Sequence, residues 1–437
     1  MTKLFRDPLY NYVTVDPSED AWLLPVINSR ELQRLRRIRQ LGVSNFTYPG
    51  AEHTRLCHTL GVLHLMQAVI THLDRHTSGS TVRDKRAVLL AAAVCHDVGH
   101  GPFSHLFEPC LGIDHEVWSR RILTNPDTEI HQALAGEDPA LPGLVATLID
   151  EEDTSQPLWQ KSLISSQLDV DRMDYLRRDS LFTGAGYGHF DWRRLVESMR
   201  MHGDKPKDWE IVWDSKAKLS IEEYIFSRFY MYQNVYLHKT TRGFEQMLQA
   251  MWRRARQRFD DGWDAGLVPE IRGFWNADAK GGASVRQYLT LEEHVVLRQI
   301  EVWTQSGDSG LGALATAFRD RIPLAVIDPP AGDAGIAEVD GWHEALRSLV
   351  RDKGYDPDCF CLRDEMKPKY HSPYIPERER KEQTGQNAIR ICDGGEPQEI
   401  SEALARLRAV TTGETQLSRY YVPRDVREEA VKLRERF

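Results

Sequence analysis

Between Ala91 and Glu108 the chain reads AAAVCHDVGHGPFSHLFE, an apolar run that passes into three histidines, an aspartate and a glutamate set around two glycines and a proline. Burying a charge is costly unless it is paired or bound to a metal, so an apolar helix that ends in His96-Asp97 needs compensation. Neighbouring side chains on a helix point to different faces. They reach one ion only where the helix is ending, and Gly99 with Gly101-Pro102 supplies that ending. Borderline divalent cations accept imidazole nitrogen and carboxylate oxygen together. A histidine upstream, His58 in HTRLCHTLGV, and an aspartate downstream, Asp171 in LDVDRMDY, complete an H…HD…D set carried on three helices. Such a set leaves coordination positions open to water and substrate, which marks a catalytic rather than a structural site.

The sequence also supplies the helices that must carry these groups. TLGVLHLMQAVITHL sets Val62, Met66, Val69 and Leu73 on one stripe, so His58 opens an amphipathic helix. KRAVLLAAAVCHDVG is apolar nearly all round and reads as a central buried helix. DVDRMDYLRRDSLF, which carries Asp171, and the stretch from Ile221 to Phe259 read as further long helices. Asp171, Tyr175 and Asp179 are spaced i, i+4 and i+8 and so share one face; Arg228 and Tyr236 share another. After residue 260 the composition shifts. Residues 260–284 read as turn-rich, 327–335 as a loop or linker, and 371–386 as a charged, mobile segment. NAIRICD suggests a strand, and ISEALARLRAV and RDVREEAVKLRERF suggest helices. The expectation is a mostly α protein: a helical catalytic core over residues 1–260 and a smaller, mixed α/β C-terminal lobe over 261–437.

Composition sets outer bounds. The chain has 437 residues, 41% hydrophobic and 28% charged, with a formal net charge of −9, ordinary globular values that allow a sizeable core. The acid excess works against bulk nucleic-acid binding, which draws on many Lys and Arg contacts, and leaves nucleic acid a disfavoured partner. It does not bear on one small anion held by a local basic cluster. The first residues show no signal-peptide pattern, and the apolar run Val88 to Cys95 is too short to cross a bilayer. The six cysteines form no paired C-x-x-C array, which suits reduced thiols. A cytoplasmic protein without a membrane partner is expected.

Taken in order, the motifs resemble a known family. DPLYNYVTV, LQRLRRIRQLG, YPGAEHTRLCHTLGV, CHDVGHGPFSHLFE, QLDVDRMDYLRRDS and YLHK follow the order and approximate spacing of the HD-domain phosphohydrolases, and within them of the deoxynucleoside triphosphate triphosphohydrolases. The resemblance covers about residues 4–250 well and is weaker beyond 260, where NAIRI and SRYYVPRDV are similar to the family's C-terminal lobe. It implies an HD-domain helical bundle with His58, His96, Asp97 and Asp171 as ligands of a divalent metal such as Mn, Fe or Mg, and a further Mg accompanying the triphosphate. The reaction it implies is hydrolysis at the α-phosphorus, releasing a deoxynucleoside and inorganic triphosphate. A homo-oligomer is implied as well, dimer to hexamer with a tetramer favoured, together with a nucleotide effector.

Such a reaction needs a strong nucleophile at neutral pH, charge neutralisation on the phosphoryl oxygens and a proton for the leaving oxygen. A histidine suits the last task because it titrates near neutrality. His105 and Glu108, spaced i and i+3, fit an acid and its orienting carboxylate; the family uses the matching pair, usually with Asp at the second position. His115 matches another active-site histidine and His100 one near the phosphates. By the same resemblance Arg55, Arg172 and Arg228 contact phosphates, Arg172 replacing the usual Lys. Tyr175 packs near the sugar C2′, Asp179 binds the 3′-hydroxyl, Tyr236 stacks on the sugar, and Gln40 and Leu41 line the base and sugar.

The effector region departs from the family. The resemblance extends to a vertebrate member of the family that guanine nucleotides activate between subunits; Asn28 stands where its guanine-reading site has an aspartate, although Gln33 and Arg36 match, and an amide offers one acceptor against two guanine donors. Leu4 and Arg6 replace the family's valine and asparagine in its N-terminal run. Arg30, Arg34, Arg36, Arg37 and Arg39 nevertheless make SRELQRLRRIRQ a basic helix suited to an effector phosphate or a subunit interface. Two other functions stay open: an HD phosphohydrolase acting on a nucleoside monophosphate or signalling nucleotide, and a non-catalytic nucleotide sensor.

Overall fold

The structure, a computed structural model, describes residues 2–106, 108, 114–263, 266–278, 282–330, 336–366, 374–377, 388–407 and 417–437, with the side chain of His105 outside that description. The chain opens in an antiparallel hairpin, β1 (Lys3–Asp7) and β2 (Asn11–Val15), paired from Lys3 opposite Val15 to Asp7 opposite Asn11. Strand alternation turns Val13 and Val15 into the core. Asn11 takes a φ of 67° at the turn, a conformation that asparagine tolerates. Two short helices follow, α1 (Leu23–Asn28) and α2 (Arg30–Gln33).

The centre is a pair of helices, α3 (Arg55–His76) and α4 (Arg86–Cys95), packed along one another. All of α4 from Val88 to Cys95 is buried, as its unbroken apolar run requires, and Ala91, Ala92 and Ala93 keep it slim. Helices α5 (His115–Thr124) and α6 (Leu141–Ile149) pack on one another, α6 lies on α4, and α7 (Val170–Thr183) runs against α3. Among the described residues α3 is the one helix long and apolar enough to cross a membrane; it sits in the core and carries His58. The Asp169 carboxylate caps α7 by accepting from the Arg172 backbone N–H at 2.7 Å, and Gly184, at a φ of 70°, ends it. Beyond lie α8 (Lys218–Met231), a π-helical turn at Tyr232–Tyr236, and α9 (Lys239–Asp260).

Two small sheets complete the fold. One has the order β3 (Met199–His202), β4 (Glu210–Asp214), β7 (Arg390–Cys392), β8 (Gln398–Glu399); the other has β9 (Leu417–Val422) between β5 (Ala325–Ile327) and β6 (Leu362–Met366). The β4–β7 pairing is parallel and joins the two halves of the chain. The fold is thus mostly α with mixed α/β structure toward the C-terminus, as expected. The strand in NAIRICD forms, and so does the C-terminal helix, Arg427–Arg434. ISEALARLRAV opens with the short helix Ile400–Ala403, while residues 408–416 lie outside the described residues, as do most of 371–386. The cysteines Cys57, Cys95, Cys359, Cys361 and Cys392 are free thiols; Cys110 lies outside the described residues.

Two expectations are corrected. Residues 260–284 are not simply turns: they contain α10 (Pro269–Asp278), whose Ile271, Phe274 and Trp275 form a buried stripe. SRELQRLRRIRQ is not one basic helix. It breaks after α2 into a tighter turn at Arg34–Arg37, and its arginines are drawn to separate partners. Arg34 is buried and donates to the carbonyls of His100 and Leu291 at 2.7 Å each. Arg37 pairs with Glu292, Arg39 with Glu293 at 2.7 Å and with Glu52 at 2.5 Å, and Arg30 with Glu129 at 2.6 Å. Arg36 donates to Gln33 Oε1 at 2.6 Å.

Candidate active site

The four sequence-predicted ligands meet where α3 begins, α4 ends and α7 begins. His58 Nε2 lies 2.9 Å from Asp171 Oδ1, 3.2 Å from His96 Nε2 and 3.8 Å from Asp97 Oδ2. His96 Nε2 lies 3.4 Å from Asp97 Oδ1 and 3.6 Å from Asp171 Oδ1. Ligand bonds of about 2.0–2.2 Å place adjacent donors about 3 Å apart, so this spacing suits one shared cation. The other nitrogen of each ring is already used. His58 Nδ1 donates to Asp174 Oδ2 at 2.8 Å, and His96 Nδ1 donates to the Ala93 carbonyl at 3.0 Å. Both rings therefore present Nε2 to the cluster, the orienting arrangement that metal-binding histidines use. Gly99 lets α5 close over the site: a Cβ there would lie 2.2 Å from the His115 carbonyl oxygen.

Electrostatics favour a cation at this point. Burial pushes the His58 ring toward its neutral form, yet bonds from Asp171 and Asp174 outweigh it and raise the pKa to about 10. His96 is raised too, burial being outweighed by Asp97 and Asp171. Burial alone would raise Asp97, but Arg55 and His96 hold it well below the usual carboxylate range. Asp171 is lowered by His58 and His96 against its own burial. Arg55 and the two imidazoles thus favour ionised carboxylates, and the carboxylates favour positive charge on the imidazoles, a place that a divalent ion would take.

A second cluster adjoins the first. The His115 and His100 rings stack with centroids 4.0 Å apart. Glu108 Oε1 lies 2.8 Å from His115 Nδ1 and 3.6 Å from His100 Nδ1, while His100 Nε2 lies 3.3 Å from Asp97 Oδ1. Burial and the Arg55 charge hold His100 well below the ordinary histidine range; Glu108 raises His115 against its burial. Glu108 faces His115 and His100, and its expected pairing with His105 lies outside the described side chains. The His105 backbone lies in the turn Ser104–Leu106, reached through left-handed φ angles of 54° at Phe103 and 57° at Ser104, a strained approach of the kind stored at functional sites.

A group of aromatic rings adjoins His58. Tyr175 stands edge-on to Tyr236 at 6.3 Å and to His58 at 6.5 Å. Asp179 accepts from Tyr236 Oη at 2.8 Å and from His53 Nε2 at 2.8 Å. The backbone N–H of Gln40 donates to the His53 carbonyl at 3.1 Å, which lays Gln40 and Leu41 alongside. Arg228 is buried with its guanidinium 5.5 Å from the Tyr232 ring. Arg172 pairs with Asp169. Arg55 points at the ligand set itself, donating to Asp97 Oδ2 at 2.6 Å and to Ser104 Oγ at 2.7 Å. His53 and Asp174 were not found from the sequence. His53, two positions before Arg55, and Asp174, three after Asp171, carried only that proximity as a signal.

Comparison with known proteins agrees with this geometry. Residues 55–179 match the HD domain and residues 190–264 the HD associated region. Protein YwfO of Bacillus subtilis is 34% identical over 426 residues, spanning 97% of this chain and 93% of its own. The deoxynucleoside triphosphate triphosphohydrolase SAMHD1 of Gallus gallus is 29% identical over 286 residues, 58% of this chain and 45% of that one. A crystal structure of a phosphohydrolase from Bacteroides thetaiotaomicron superposes with a TM-score of 0.76 at 26% identity, covering 97% of this chain and 99% of the other. With His58, His96, Asp97 and Asp171 gathered at one point inside the matched region, the chain belongs to the HD-domain phosphohydrolase family.

Proposed function

We propose that the protein hydrolyses deoxynucleoside triphosphates to a deoxynucleoside and inorganic triphosphate. The observation that carries this reading is Asp179, whose two oxygens are held by His53 and Tyr236 beside Tyr175. A carboxylate so fixed presents an acceptor for a sugar hydroxyl, and two aromatic rings leave a 2′-hydroxyl without space or partner. A divalent ion held by His58, His96, Asp97 and Asp171 would supply Lewis acidity and nucleophile activation. The chain's own residues do the rest. Arg172 and Arg228 neutralise phosphate charge, and Arg55 joins them across Asp97. Water adds at the α-phosphorus, the bond to the 5′-oxygen breaks, and that oxygen takes a proton from a histidine, His115 beside Glu108 or, on the family resemblance, His105.

The test compares kcat/KM for dATP, ATP and dAMP with Mn²⁺. An unpaired buried hydroxyl costs about 1–3 kcal/mol, so dATP should exceed ATP by about 5–150-fold, with dAMP untouched. Equal turnover of both sugars, or preference for the monophosphate, would overturn the reading in favour of a different nucleotide substrate.

A further inference from the structure

His58 is anchored by more than its own helix. Its Nδ1 donates to Asp174 Oδ2 at 2.8 Å. One turn further along α7, Arg178 grips that carboxylate with two prongs, Nε to Oδ2 at 2.8 Å and Nη2 to Oδ1 at 3.0 Å. The remaining Nη1 of Arg178 donates to Asp7 Oδ2 at 2.8 Å. The other oxygen of Asp7 accepts from the backbone N–H groups of Leu9 and Tyr10 at 2.8 and 2.9 Å, which locks it into the turn of the N-terminal hairpin. Each member is buried: His58 is 1% exposed, Asp174 and Arg178 0%, and Asp7 8%.

Charge and space both show that this chain of groups is built. Asp174 alone would be a buried anion pressed on an imidazole, and Arg178 alone a buried cation; the order Asp7, Arg178, Asp174 alternates sign and compensates each. Room for the fork is reserved on α3, where Gly61 follows His58 by three positions. A Cβ on Gly61 would lie 2.0 Å from Asp174 Oδ1 and 2.3 Å from Arg178 Nη2.

We propose that Asp7 and Arg178 are positioning residues of the metal centre. They hold Asp174 on His58 Nδ1, so that Nε2 points at His96, Asp97 and Asp171. The N-terminal hairpin is thereby part of the support of a ligand on α3. This inference rests on the assignment of the four residues as a metal site, and its effect is read in the metal affinity of the folded protein.

The experiment titrates the full-length, metal-free protein with Mn²⁺ alone, by calorimetry, with thermal unfolding of the same samples as a control. Removing partners behind a metal ligand costs about 10–100-fold in affinity. Asp7→Asn keeps an acceptor for the Leu9 and Tyr10 amides but sets an amide against Arg178. It should weaken Mn²⁺ binding about tenfold at a temperature well below the metal-free Tm, which the loss of a buried partner for Arg178 also lowers. Arg178→Lys keeps the charge and loses the fork, and should do the same. The double variant should be no weaker than the weaker single one, because the two act in series. A folded Asp7→Asn with wild-type affinity, or additive losses in the double variant, would overturn the proposal. Should Asp7→Asn not fold, Gly61→Ala decides: an added methyl that leaves Mn²⁺ affinity unchanged overturns it, and a loss supports it. Failure of the wild-type protein to bind Mn²⁺ would overturn the metal assignment itself, and this inference with it.

Discussion

At the scale of single residues, His53 supports the proposed sugar-binding carboxylate. Its ring stacks on Phe182 with centroids 4.5 Å apart and donates to Asp179. A hydrogen bond to a charged partner contributes about 1.5–3 kcal/mol. His53→Ala should therefore lower kcat/KM for a deoxynucleoside triphosphate by about 10–100-fold, with His53→Gln, which keeps a donor, falling less. Steady-state kinetics check this, and an unchanged His53→Ala would remove Asp179 from sugar binding. That His58, His96, Asp97 and Asp171 come together was legible in the sequence, because residue type and helix endings constrain them. His53 and Asp174 were not, since each acts through a partner more than a hundred positions away, Asp179 and His58 respectively. Arg55 was legible as a basic group at the site but not as a partner of Asp97, which depends on how α3 meets the end of α4.

At the scale of elements, the start of α5 carries a pH-sensitive group. Burial and the neighbouring Glu151 charge raise the Glu116 carboxyl to about 7, with Asp114 adding to the effect and His115 opposing it. A carboxyl whose folded pKa lies above its unfolded value binds its proton more tightly when folded. Its ionisation is neutral to stability below pH of about 4.5 and costs stability increasingly as pH rises toward 7. Glu116→Gln should raise Tm by on the order of 1–3 °C at pH 8 and leave it unchanged at pH 4. Thermal unfolding at the two pH values measures this, and an equal change at both would show that the charge is not responsible. Elements with a plain periodic pattern were legible: α3, α4, α7, α8 and α9 lie where their apolar spacing puts them. Helix α10 was hidden because glycines and aspartates flank a short stripe of Ile271, Phe274 and Trp275. The basic run after Ser29 misled for the opposite reason, since its helical spacing is real but acids near residue 292 and a buried seat for Arg34 claim its side chains.

At the scale of the whole molecule, the second half of the chain closes over the first beside the site. Tyr288 Oη donates to the Gly99 carbonyl at 2.5 Å, and its ring stacks on Trp118 at 3.9 Å. Arg34 bridges the His100 and Leu291 carbonyls in the same seam. Arg34→Met would leave both carbonyls buried without their donor, a loss of about 2–4 kcal/mol. A clearly lower Tm is expected, and an unchanged one would mean that the seam relaxes or takes up water. No sequence pattern announced this seam, because contacts between residues some 250 positions apart leave no local periodicity.

The central claim, water addition at the α-phosphorus with loss of the 5′-oxygen, is tested most directly by hydrolysing dATP with Mn²⁺ in heavy-oxygen water and identifying the products by mass. The proposed reaction, read from the His58–Asp171 cluster, the Tyr236–Asp179 contact and the His115–Glu108 contact, predicts unlabelled deoxyadenosine and triphosphate carrying one heavy oxygen. Deoxyadenosine monophosphate with pyrophosphate as the first products, or label in the deoxyadenosine, would contradict it.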